Sequence, residues 1–212
     1  MHKFLWIVLL SFLIENISIA QDIHWSQYND NQLFQNPANA GHFDGDYRFI
    51  GNYRDQWRSV TVPFSTMALS VDSKYKNLGF GLSMFNDQAG DGRFRTVEIQ
   101  GNLSYAIKLD SDSTHVIRPG INFGMNHRQI NWDDLYFDTQ YTGYVFDPSA
   151  PTFESYQNDR KTNASLGAGF IYEWIRDERF KVILGTSAFN LNRPNQGFYD
   201  AEVKRAIRSN SF

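Results

Sequence analysis

Cysteine is missing from all 212 residues. That absence excludes a lipoprotein anchor, which needs a cysteine beside the signal cleavage site. It also excludes disulfide scaffolds, thiolate metal sites and a cysteine nucleophile. Past residue 20 there is no long apolar run, and mean hydropathy is −0.47, so a helical membrane protein is excluded. Membrane-spanning strands stay open, because half of each would be polar. Charge of one sign is scarce too. Lys and Arg number 20 against 23 Asp and Glu, a net charge of −3, and they are scattered. No basic stripe points to nucleic acid, and no like-charged tail points to a disordered arm.

Catalytic signatures are equally sparse. There is no Gly-x-Ser-x-Gly elbow and no phosphate-binding glycine loop; Gly79-Phe80-Gly81 lacks a third glycine and a following helix. The histidines His2, His24, His42, His115 and His127 show no ligand spacing such as a helical i, i+4 pair, and read as solvent-facing. Asp87 and Asp91-Gly92 lack the acidic spacing and distal Glu of a calcium loop, and read as a turn. Asp133 and Asp134 follow Trp132; adjacent carboxylates point apart in extended chain and do not make a general acid–base pair. Ser83 and Ser104 match a hydrolytic barrel by residue type alone. We assign no catalytic, cofactor-binding or metal-binding residue, and read the protein as not an enzyme.

What is present begins with an export signal over residues 1–20. His2 and Lys3 precede an apolar run from Phe4 to Ile14, and Ser18-Ile19-Ala20 supplies small residues for cleavage. The run is too short to span a bilayer, and the mature chain would start at Gln21-Asp22. Residues 21–46 are polar and turn-rich, with Asn36-Pro37, Ala40-Gly41 and Asp44-Gly45, and read as an ordered periplasmic leader or plug.

Seven stretches then alternate apolar and polar residues: Tyr47–Tyr53, Ser65–Asp72, Leu78–Met84, Val97–Leu109, Ile117–Asn126, Ala164–Trp174 and Val182–Phe189. A period of two means strand, with one face for oil and one for water. The clearest sets Val97, Ile99, Gly101, Leu103, Tyr105, Ile107 and Leu109 against Glu98, Gln100, Asn102, Ser104, Ala106 and Lys108. Aromatic residues make up 16% of the chain, which suits the interfacial girdles of a barrel. Pro119 departs from the pattern and predicts an edge or bulge. Gly79, Gly81, Gly120, Gly124, Gly167, Gly169 and Gly185 fall on the polar faces. They predict tight curvature or another segment passing close, hence a partly filled lumen.

Residues 129–162 form one long polar excursion, and after Asn195 the alternation fades, so no strand is expected over 201–212. The fold class is all-β: an antiparallel transmembrane β-barrel domain over 47–212. Seven strands do not fill the even count of a bacterial barrel, so the chain reads as seven or eight strands of a larger one, shortened at its C-terminal end.

Several of these segments together carry a resemblance. Gln21-Asp22-Ile23-His24-Trp25-Ser26-Gln27-Tyr28, Asn36-Pro37-Ala38-Asn39-Ala40-Gly41 and Asn52-Tyr53-Arg54-Asp55-Gln56-Trp57 resemble the PorP/SprF family of type IX secretion system membrane proteins of the Bacteroidetes. Asn86–Asp91, Leu166–Gly169 and, more loosely, Gly185–Asn190 resemble its later segments. The resemblance implies an outer-membrane protein that works with the type IX export machinery and with cargo bearing sorting domains, such as gliding adhesins. It also implies a longer barrel and no catalytic activity.

The expected function is therefore recognition that assists secretion or surface attachment, in outer-membrane lipid. Trp57 and Arg54 would anchor the first strand at the interface, or alternatively contact a periplasmic partner. A pore for small solutes, lined by Glu98, Gln100, Asn102, Ser104 and Lys108, is the alternative. A soluble secreted β-sandwich is the third reading.

Overall fold

The computed structural model describes residues 30–59, 62–90, 92–143, 145–152, 158–177, 179–198 and 204–212. The export signal expected at 1–20 and the mature start at 21–22 lie outside them. The described chain is nearly all strand: β1 (Tyr47–Gln56), β2 (Phe64–Tyr75), β3 (Leu78–Ala89), β4 (Phe94–Tyr105), β5 (Ile107–Lys108), β6 (His115–Gln129), β7 (Tyr141–Thr142), β8 (Val145–Phe146), β9 (Arg160–Asp177), β10 (Phe180–Phe189) and β11 (Arg208–Ser211). One sheet runs β1-β2-β3-β4-β6-β9-β10-β11, with β5 also paired to β6. Every pairing is antiparallel and the strands of this sheet follow one another in chain order, with β5 set between β4 and β6 and the β7–β8 hairpin inserted between β6 and β9. The sheet curls into a half-barrel.

The alternation gives the curled sheet two unlike faces. Outward-pointing Leu69, Leu82, Leu103, Ile121, Phe123 and Met125 are exposed, while inward Ser70, Ser83, Gln100, Asn102 and Asn122 are buried. This inverts the arrangement of a soluble sandwich, whose apolar faces pack inward. A 12-residue strand such as β4 rises about 40 Å. Tilted by about 40°, it clears the apolar band of about 25 Å in a membrane barrel. Aromatics mark the rims. Tyr47, Tyr75, Tyr105 and Trp174 stand exposed at one end, and Trp57 and Phe64 at the other. The first end carries short turns, the β2–β3 connection being Lys76-Asn77 with Lys76 at φ 55°. In the 109–114 turn, the amides of His115 and Thr114 donate to Asp110 at 3.1 Å each; the His115 bond foremost holds that carboxyl below its ordinary range. The 130–159 connection lies at the opposite end and carries two 3-10 turns and the β7–β8 hairpin.

Several expectations need correction. The stretch Val97–Leu109 is not one strand: the ladder breaks at Ala106, whose amide donates instead to the Asn77 carbonyl at 2.8 Å. Pro119 lies across from that break, between the Ser104↔Gly120 and Ile107↔Ile117 pairs. Its missing donor therefore falls where β4 gives way to β5. The strand expected over Leu78–Met84 runs on through Asn86–Ala89, so Asp87, read as a turn, lies in the end of β3, paired with Phe94–Val97; polar residues can continue a hairpin beyond the apolar band. A strand also exists where none was expected. β11 pairs Arg208–Ser211 with Thr186–Phe189. Its outward residues are Ser209 and Ser211, so it carries no apolar stripe to betray it.

Candidate functional site

Residues 30–46 do not lie outside the sheet. They cross its concave face as a single helical turn, α1 (Gln32–Gln35), followed by a 3-10 turn over Pro37–Asn39. Asn36 starts the second turn because its side chain accepts from the Ala38 amide at 2.9 Å and Pro37 has its φ preset for the first position. The same side chain donates to the carbonyls of Phe170 and Thr186, at 3.2 and 3.0 Å. One asparagine thus both shapes the leader and ties it to β9 and β10.

Several of the glycines expected to admit another segment face the leader, whereas Gly124 and Gly167 are crowded by the Gln100 and Asn122 side chains of neighbouring strands. A Cβ on Gly79 would overlap the Ala40 carbonyl, one on Gly120 would overlap Ala38, and one on Gly169 would overlap the Asn36 side chain. Leu33 and Ala40 are fully buried. Phe34 packs edge-on to Phe85, with ring centres 5.7 Å apart, beside Ala68.

Charge holds the other end of this segment. Asp72, without solvent exposure, accepts from Arg48 Nε and Nη2 at 2.9 and 2.7 Å and from the Gly41 amide at 2.8 Å. Arg48 also donates to the Asn39 carbonyl at 3.0 Å and to the Gln32 side chain. A buried ion pair is useful only when its remaining donors and acceptors are met, and here they are. Ser104 Oγ donates to the Ala40 carbonyl at 2.6 Å. From the C-terminal side, Arg208 and Asn210 donate to the carbonyls of Phe34 and Gln35, at 3.1 and 2.9 Å.

Toward the other end of the lumen, Glu98 gathers a polar ladder. It accepts from Asn126 at 2.8 Å, from Arg205 at 3.1 Å and from Gln100, and Asn122 donates on to Gln100 at 3.1 Å. Glu98, Gln100, Asn102 and Ser104 are all under 5% exposed, covered by the leader and by residues 204–212. Lys108 alone of the proposed pore lining is exposed.

The other residues singled out in the sequence separate. His42 Nε2 lies 2.9 Å from Glu173, and Arg118 and Lys181 approach the same carboxylate at 3.8 and 2.8 Å. His115 contacts the Tyr172 hydroxyl at 2.8 Å and stacks parallel to Trp174. His127 contacts Thr162 at 2.8 Å. His2, His24 and Asp91 lie outside the described residues. Asp87 accepts from Thr66 at 2.5 Å, and Asp134 from Asn131 at 2.8 Å. Ser83 accepts from Asn102 at 3.3 Å. Among the described residues, no three histidine or carboxylate side chains converge to hold a metal ion. Trp57 stands 62% exposed at the end of β1 away from the short turns.

Sequence reasoning missed the Arg48–Asp72 clasp and the Glu98 ladder. A charged residue inside an apolar-alternating strand is the signal for each.

No curated protein and no solved structure matches the chain. The family described as type IX secretion system membrane protein PorP/SprF matches residues 17–211, nearly the whole length. That description names a secretion-system membrane protein and no enzyme, and it agrees with an outward apolar, antiparallel half-barrel in which no helix among the described residues is long and apolar enough to cross a membrane. The chain belongs to the PorP/SprF family of type IX secretion system membrane proteins.

Proposed function

We propose that the protein sits in the outer membrane and assists the secretion or surface attachment of particular type IX cargo by recognition, without catalysis. Residues 21–46 act as a periplasmic leader that plugs the 47–212 barrel domain. The short-turn end meets the export machinery or the cargo's sorting domain, and the long connection over 130–159 meets exported protein outside. Outer-membrane lipid surrounds the apolar face.

The single observation that carries this reading is the filled lumen. Gln100 bonds to Glu98, Glu98 to Arg205, Asn102 to Ser83 and Ser104 to Ala40, which weighs against a wet channel for solutes. A plugged sheet presents its ends, not its bore.

The test compares surface and culture-fluid proteomes of wild type and a deletion of the locus. Loss of one or a few proteins bearing type IX sorting domains is the expected result. Unchanged proteomes, with conductance of the purified protein in planar bilayers, would overturn it in favour of the solute pore.

A further inference from the structure

The leader does not fill the concave face at the short-turn end. A cleft of about 730 Å³ remains there, within the range of about 300–1,000 Å³ that suits a small ligand or a short peptide segment. Its charge is one-sided. Lys74, Lys76, Lys108, Arg118 and Lys181 line it against only Asp44 and Glu173, in a chain whose net charge is −3. These cations come from β2, the β2–β3 turn, β5, β6 and β10, so the topology collects what the sequence scatters.

Their present partners leave capacity. Lys181 is committed to Glu173, and Lys74 to the Phe43 carbonyl at 2.6 Å. Arg118 is 13% exposed, its nearest carboxylate oxygen is 3.8 Å away, and its Nε has no hydrogen-bond partner. A buried guanidinium donor without an acceptor is costly, and an incoming carboxylate would supply one. Lys76 and Lys108 stand exposed at the rim. Low-dielectric walls focus the field of such a cluster on an anion.

The remaining walls narrow the ligand. Beside the cations, Phe43 and Ile183 offer apolar contact. A bare phosphate uses neither. The cleft lies on the concave side, roofed by the leader, whereas lipid meets the opposite, apolar face.

We propose that this cleft binds a short acidic peptide segment of a periplasmic partner, its carboxylates taken by Arg118, Lys76 and Lys108. This deepens the recognition role proposed above and rests on that reading for the identity of the partner, though not for the binding itself.

The test uses the full protein in detergent and a fluorescent hexapeptide of alternating glutamate and leucine, with its glutamine counterpart as control. Binding should favour the glutamate peptide, fall with salt, and weaken about tenfold or more in Arg118→Gln. Because Arg118 is buried, the exposed pair Lys76→Gln with Lys108→Gln is measured alongside, with strand content checked by circular dichroism, and should weaken binding while leaving the fold intact. Equal affinity for the glutamine peptide, unchanged affinity in the folded double variant, or full displacement by inorganic phosphate or anionic phospholipid vesicles would overturn the proposal. If binding behaves as expected but the double-variant strain exports every sorting-domain protein normally, the acidic-peptide site stands and the export role falls.

Discussion

The two faces of this sheet obey the same period of two and opposite chemistry. Outside, Leu103, Ile121, Phe123 and Met125 are 44–64% exposed and make no packed core. Inside, Gln100, Asn122 and Asn126 are at most 3% exposed; Asn122 donates to Gln100, and Gln100 and Asn126 both donate to Glu98. Water cannot be the solvent for both. The outer face is stable only against hydrocarbon, and the inner only against a segment that meets its donors and acceptors. The leader over 30–46 and residues 204–212 share that role, Ser104 meeting the Ala40 carbonyl and Glu98 meeting Arg205, so the plug is part of the fold and not an attachment to it.

Substitutions on either face sharpen this contrast. The largest effect is expected at the clasp. Asp72→Ala leaves Arg48 without its buried partner and the Gly41 amide without its acceptor, and should cost about 3–5 kcal/mol in urea unfolding from vesicles. A neutral result would mean that the leader is held elsewhere. Next, Phe123→Arg places a charge in the apolar band and should cost about 2–4 kcal/mol, read as loss of the folded, heat-modifiable species on gels. The same charge at exposed Tyr136, in the 130–159 connection, should be silent.

Smaller again is Gly120→Val, whose side chain must displace Ala38 and should cost about 1–3 kcal/mol, with new protease cleavage within 30–46. Gly101→Val, on the outward face, meets only the Phe123 carbonyl at 3.9 Å and should leave the leader protected. Smallest is Trp57→Ala at the rim, worth under about 1 kcal/mol, seen as a slight fall in vesicle insertion.

The same asymmetry explains what could be read from the chain alone. Strand positions and faces were legible wherever an apolar residue had to meet lipid at every second place, as from Val97 to Tyr105. The crowding of the lumen was legible from glycines, since Gly79 and Gly120 mark where the leader's backbone passes over the sheet and Gly169 where the Asn36 side chain does. Outside the apolar band that signal vanishes. Asn86–Ala89 continues β3 without an oily face, and β11 turns serines outward and Arg208 and Asn210 inward. The break at Ala106 depends on the Asn77 carbonyl, a partner no local pattern names. The basic cleft was invisible for the same reason: its five cations span positions 74 to 181, and only the strand order brings them to one mouth.

The absence of native cysteine makes the decisive measurement clean. Single cysteines placed at successive positions 98 to 103 of β4, spin-labelled in bilayers, report their collisions with dissolved oxygen and with a water-soluble nickel chelate. The account predicts strict alternation: labels at positions 99, 101 and 103 accessible to oxygen as in lipid, and those at 98, 100 and 102 shielded from both reagents beneath the leader and residues 204–212. Nickel access at 98, 100 and 102 would mean a wet, unplugged lumen and would contradict it.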